Sequence, residues 1–135
     1  MSTRTYLRAV PSKLLPKMPL DLERVRTLEE FDGPLLIEFR EKSTGHTYLW
    51  SWCDCSNTQH RWKVYRVEPD RLQAYLDGTL DMLSLVMGCP DPHVLLVDMD
   101  KDFNPVVREA LLADLPPSYL PKAGCLYDPD LAPDG

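Results

Sequence analysis

Residues Pro34–Trp52 read PLLIEFREKSTGHTYLWSW, and the way this stretch pairs decides the fold. Two runs rich in aliphatic and aromatic residues flank Ser43, Thr44 and Gly45, which are turn residues. The pattern predicts a β-hairpin. A four-residue loop Ser43–His46 sets Lys42 opposite Thr47, Phe39 opposite Trp50 and Ile37 opposite Trp52. The large apolar residues then share one face. Arg40 with Leu49 and Glu38 with Ser51 form a mostly polar reverse, as a half-buried antiparallel pair requires. A three-residue loop Ser43–Gly45, with Gly45 left-handed, is also sound turn chemistry, and it pairs Phe39 with Leu49 and Glu38 with Trp50. The first register is preferred because it groups the large apolar side chains. The stretch predicts a fold and carries no reaction.

Upstream, Thr5–Val10 suits a short strand within a Pro-punctuated arm. Leu20, Leu22, Val25, Leu28 and Phe31 recur at roughly helical spacing, and Asp21 suits the cap of a short helix Leu22–Glu30. Downstream, Arg61–Val67 alternates as a third strand, with Trp62 and Val64 on one face and Arg61, Lys63 and Tyr65 on the other. Pro69 opens a helix Pro69–Leu76, Gly78 stops it, and Thr79 caps a second helix Leu80–Met87. His93–Met99 holds four consecutive apolar residues, the mark of a strand covered on both faces. Pro105–Leu112 fits a helix or a strand returning beside Val94–Val97, and the strand is preferred. From Pro116 the chain reads as irregular, pinned by Tyr119, Leu120, Leu126 and Tyr127.

The expectation is one α+β domain over residues 20–127, preceded by a basic arm (1–19) and followed by a frayed acidic tail (128–135). An antiparallel sheet of four to five strands carries two short helices on its aromatic face. The expected core is Leu35, Ile37, Phe39, Trp50, Trp52, Val64, Leu72, Leu76, Leu83, Val94, Leu96 and Val97.

Net charge is −6 over 135 residues, with Arg4, Arg8, Lys13 and Lys17 making the first twenty residues +4. An acidic body argues against a broad nucleic-acid surface, whose affinity rests on phosphate neutralisation. No apolar run approaches the ~18 residues of a membrane span. The arm lacks a secretory apolar region, and Pro11, Pro16 and Pro19 break any transit-type helix, so a cytoplasmic location with reduced thiols is expected.

Candidate chemistry is sparse. Cys53-x-Cys55-x4-His60, with Cys89 and His93 further on, offers zinc-type ligands, but paired zinc cysteines usually stand further apart. Semi-buried thiols at a strand end are preferred. Asp98, Asp100 and Asp102 follow a buried strand and suit a divalent cation, either for phosphoryl transfer or, with Glu109 at the twelfth position, for calcium. Against the first, only 33 residues follow Asp102; against the second, Phe103 stands where the loop needs Gly. A solvated acidic turn is preferred. Ser51, Ser56, Ser84, Cys53 and Cys89 with His46, His60 and His93 supply nucleophiles and bases, none in a Gly-framed elbow. The Cys89/His93 pair has Asp91 beside it, which opposes a thiolate. Arg61, Lys63, Tyr65 and Arg66, with Trp62, make a basic-aromatic strand able to bind a phosphate or an acidic partner, or to serve as an ordinary sheet face with the basic stems over apolar neighbours; the ordinary face is preferred.

Asp32-Gly33-Pro34 running into a strand, Tyr48-Leu49-x-x-Trp52, Arg71-Leu72 with Gly78-Thr79-Leu80, Val97-Asp98, and Leu115-Pro116 with Tyr119-Leu120-Pro121 occur in this order. The set resembles a family of small uncharacterised bacterial domains over about residues 32–124. That resemblance implies a bacterial or phage source and an accessory role, and it transfers no catalytic residue. The functional expectation is a non-catalytic protein-interaction module without a cofactor, its partner another protein encoded nearby or a second copy of the chain. The alternatives are a small metal-dependent hydrolase using Asp98, Asp100 and Asp102, and a zinc-stapled module through Cys53, Cys55 and His60.

Overall fold

In the computed structural model, which describes residues 20–30, 34–55, 60–99 and 105–132, the hairpin of β2 (Pro34–Glu41) and β3 (Thr47–Cys55) forms in neither anticipated register. Ile37 lies opposite Trp50, Phe39 opposite Tyr48 and Arg40 opposite Thr47. The loop closes with Glu41 N–H donating to His46 O (2.9 Å) and Gly45 N–H to Glu41 O (2.8 Å), Gly45 at φ 76°. Compared with the preferred pairing the strands slide by two residues. Side chains repeat with period two, so the face assignment survives the slide: Ile37, Phe39, Trp50 and Trp52 remain on one side.

Residues Leu22–Glu30 correct the reading more seriously. They form a strand, β1, antiparallel to β2, not a helix. The register shifts between Arg24 and Arg26, between Thr27 and Glu29, and between Glu29 and Glu30. An extra residue at such a bulge changes which face the next side chain meets. Leu22 therefore joins the aromatic face while Leu28 joins the reverse. The three-residue apolar spacing that imitates a helix is thus a strand with bulges.

With β4 (His60–Val67), β5 (His93–Met99) and β6 (Pro105–Leu111) the sheet is a six-stranded antiparallel meander in sequence order, not one of four to five strands. Helix α1 (Pro69–Leu76) begins at Pro69 as anticipated, with Asp77 as its C-cap and Gly78 just beyond it at φ 80°. Helix α2 (Met82–Met87) is capped by Asp81, whose carboxylate accepts from Ser84 N–H at 2.9 Å, so it starts later than the Thr79 cap implied. Among the described residues no helix is long and apolar enough to cross a membrane. The strand anticipated at Thr5–Val10 lies outside the described residues.

Both sheet faces are apolar. Ile37, Phe39, Trp50, Trp62, Val64 and Val97 share one buried cluster, with Trp50 5.9 Å from the rings of both Phe39 and Trp62. Leu36, Leu49, Tyr65 and Leu96 form the other, and Leu72, Tyr75, Leu85 and Val86 of the helices pack there. The helices therefore cover the reverse face, not the aromatic one. That face looked polar from Arg40 and Glu38, but its centre is Leu36, Leu49 and Tyr65. Leu35, Trp52, Leu76 and Leu83, expected in the core, are only half-buried.

The chain then crosses this helix-covered face. Tyr119 is buried, and Leu120 and Tyr127 pack on the same cluster, while Leu126 is exposed. Met82 N–H donates to Cys125 O (2.8 Å), Gly124 N–H to Asp81 Oδ2 (2.7 Å) and Tyr127 OH to Leu28 O (3.2 Å).

Candidate functional site

The C-terminal segment, α1 and the sheet enclose a cleft of about 250 Å³. Strand alternation supplies its polar residues. Ser51 on β3 and Lys63 on β4 lie opposite one another on the helix-covered side. Lys63 is 2 % exposed, its ammonium 3.5 Å from Ser51 Oγ and 5.5 Å from the centre of the Tyr65 ring. Burying an ammonium is costly unless it is partnered, and Lys63 has partners in the fold.

Glu29 of β1 and Tyr75 of α1 line the same cleft, the phenol donating to the carboxylate. Burial raises the Glu29 carboxyl above its ordinary value, outweighing the hydrogen bond from Tyr75, and Asp128 adds to the rise. A carboxyl whose folded pKa is raised contributes stability fully below about its ordinary value, and the contribution is lost as pH rises through the folded value. Glu29→Gln keeps an acceptor for Tyr75 and carries no proton to lose. Its stability relative to the parent is expected to increase with pH from about 4.5 upward. Urea midpoints of the two proteins across that range check this; a difference independent of pH would show that ionising Glu29 costs nothing in the fold.

Beside the cleft, Asp98 on β5 stands between two guanidiniums, Arg61 Nε at 3.6 Å and Arg108 Nε at 3.8 Å. Arg61 also lies 5.1 Å from the Tyr119 ring centre, and Arg108 donates to Tyr119 OH at 3.2 Å. The charge of Asp98 is thus engaged within the protein. Asp100 and Asp102 lie outside the described residues.

The basic-aromatic strand is not one exposed face. Lys63 and Tyr65 are buried on the helix-covered side, Arg61 is packed under Tyr119, and Arg66 sits opposite Tyr48 on the aromatic side. Of the zinc-type residues, Cys55 lies directly opposite His60 across the β3–β4 ladder, and Cys53 falls where the register shifts between Trp52 and Asp54. No three His, Cys, Asp or Glu side chains converge as a metal site among the described residues. Burial pushes the Cys89 thiol up to about 11, against the lowering effect of Lys63 and Arg71. At neutral pH it is protonated, and His93 Nδ1 is 3.0 Å from Asp91.

The sequence singled out Lys63 on a strand face that could bind a partner or, preferred, pack as an ordinary sheet face; Lys63 lies on the covered side of the sheet. Sequence reasoning missed Ser51 as the partner of Lys63 and gave Glu29 no role. The signal for Ser51 was its place opposite Lys63 two strands into the meander. No local signal identified Glu29, since its residue range read as a helix.

No curated protein and no solved structure matches the chain. A family model does, over residues 12–133. The chain belongs to that family, described as a family of unknown function (DUF6575).

Proposed function

We propose that the domain is a non-catalytic protein-interaction module that takes an extended segment of a partner protein along β6. The observation that carries this reading is the contrast between the two sheet edges. β1 shifts register three times and bears Glu23, Arg24, Arg26, Glu29 and Glu30. Bulges and charges of this kind are how sheets protect an edge from pairing. β6 has neither protection to the same degree. Its register against β5 is unbroken from Pro105 to Leu111, and Val106 and Leu111 are 57 % and 43 % exposed. An added strand gains main-chain hydrogen bonds there, and the two apolar side chains select apolar residues in the incoming segment.

Val106→Lys with Leu111→Lys tests the assignment. Both positions face water, so the fold should lose no more than about 0.5 kcal/mol per site. Capture of a defined partner from host extract should fall about tenfold or more, because burying either side chain is worth about 1.5–3 kcal/mol. Quantitative affinity capture by the parent and the double variant checks this. The reading fails if the captured proteins are the same for both, or if the parent captures none.

A further inference from the structure

The aromatic face of the sheet carries an inference independent of β6. Ile37, Phe39, Trp50 and Trp62 on that face are each 0 % exposed. Strands alone do not achieve this, because a sheet buries a face only against a second layer. The sheet is an open meander with β1 and β6 at its two edges, so it does not close over itself. Both helices pack on the reverse face, as do Leu115, Tyr119, Leu120 and Tyr127 of the C-terminal segment. Among the described residues, every side chain of the aromatic cluster stands on one of the six strands, with the exception of Leu20.

Three features identify the cover. The first is length. The chain outside the described residues consists of 1–19, 31–33, 56–59, 100–104 and 133–135. A layer reaching from β2 to β5 crosses three strand spacings, roughly 14 Å. The short internal segments already join neighbouring strands and have no length left for this, and 133–135 follows chain on the reverse face. Nineteen residues reach roughly 60 Å when extended, so 1–19 has length to spare.

The second feature is position. The chain enters β1 through Leu20, which packs on the aromatic cluster, so the preceding segment joins the domain at this face. The third is composition. Tyr6, Leu7, Val10, Leu14, Leu15 and Met18 supply apolar side chains. Charge agrees: Arg4, Arg8, Lys13 and Lys17 stand there without an acid, and Asp91 and Glu109 border the cavity of about 200 Å³ that Leu20 lines. We propose that residues 1–19 dock on the aromatic face of their own chain and form the layer that keeps water from Phe39, Trp50 and Trp62. The basic arm is then part of the domain and not a tail free to bind a partner.

The test uses the full chain and trypsin, whose cleavage of a folded protein follows the fraction of molecules in which the segment is open. Lys13–Leu14 and Lys17–Met18 are cleavable bonds within the segment. In the folded chain both are expected to be cut at least about 100-fold more slowly than in the urea-unfolded chain. That protection should not vary with protein concentration, because the segment docks on its own chain. Leu14→Ser, Leu15→Ser and Met18→Ser combined should speed both cuts about tenfold or more and shift tryptophan emission to the red. Val25→Ser with Met87→Ser, at exposed positions elsewhere, should change neither. Should the triple variant not fold, the cleavage rates of the parent decide. Cleavage of the folded parent as fast as of the unfolded chain would overturn the proposal, as would a triple variant with the rates and emission of the parent. Protection that appears only as concentration rises would give the face to a second copy and overturn it too. None of these substitutions alters Val106 or Leu111, so the outcome is separate from that of the β6 experiment.

Discussion

Trp50→Ala is expected to cost about 3–5 kcal/mol, the range for truncating a fully buried aromatic side chain. Trp50 is 0 % exposed and touches the rings of Phe39 on one side and Trp62 on the other. Removing it opens a hole between two rigid neighbours that belong to different strands, and collapse around that hole is limited because both are held by ladders. Since small domains are stable by only about 5–15 kcal/mol, the variant should be partly unfolded under mild denaturant. Trp50→Phe should lose much less. It refills part of the volume, and the Trp50 indole N–H has no acceptor among the described residues, so no hydrogen bond is broken. Trp52→Ala, at a half-buried position, is the internal comparison. Urea titrations of the three variants check the order, and equal losses at Trp50 and Trp52 would contradict the burial described.

Leu85→Ala is the second large effect, at about 2–5 kcal/mol. Leu85 is fully buried where α2 meets the Leu36, Leu49 and Tyr65 side of the sheet. Leu83, two residues earlier on the same helix, is only half-buried and should cost clearly less. The pair separates the two arrangements of the helices. If α2 lay on the aromatic face with Leu83 inward, the order of the two losses would be reversed. Denaturant midpoints decide between them.

Much of the local structure was legible. Pro69 at a first helical position, Gly78 with a left-handed backbone, and the unbroken apolar run Val94–Val97 each act through the chain's immediate stereochemistry, and each forms the element they imply. The alternation of Arg61–Val67 also held, with Trp62 and Val64 together and Lys63 and Tyr65 on the other side. The failure at Leu22–Glu30 has a physical cause. A bulged strand presents apolar residues at threefold spacing, and only its neighbour in the sheet distinguishes it from a short helix.

The candidate site was less legible for the same reason. Lys63 stood out as basic among aromatics, yet a lysine on a strand reads as solvent-facing until something covers that face. Ser51, Glu29, Tyr75 and Tyr119 come from four separate parts of the chain, and no spacing within any one part announces them.

Sequence alone therefore determined where most strands and helices lie and which side chains share a strand face, because period-two alternation and turn chemistry operate over a few residues. Tertiary structure decided the strand register, the fate of Leu22–Glu30, and the side on which the helices sit. Those choices depend on fitting two apolar sheet faces to their coverings at once, an energy summed over contacts between residues far apart in the chain.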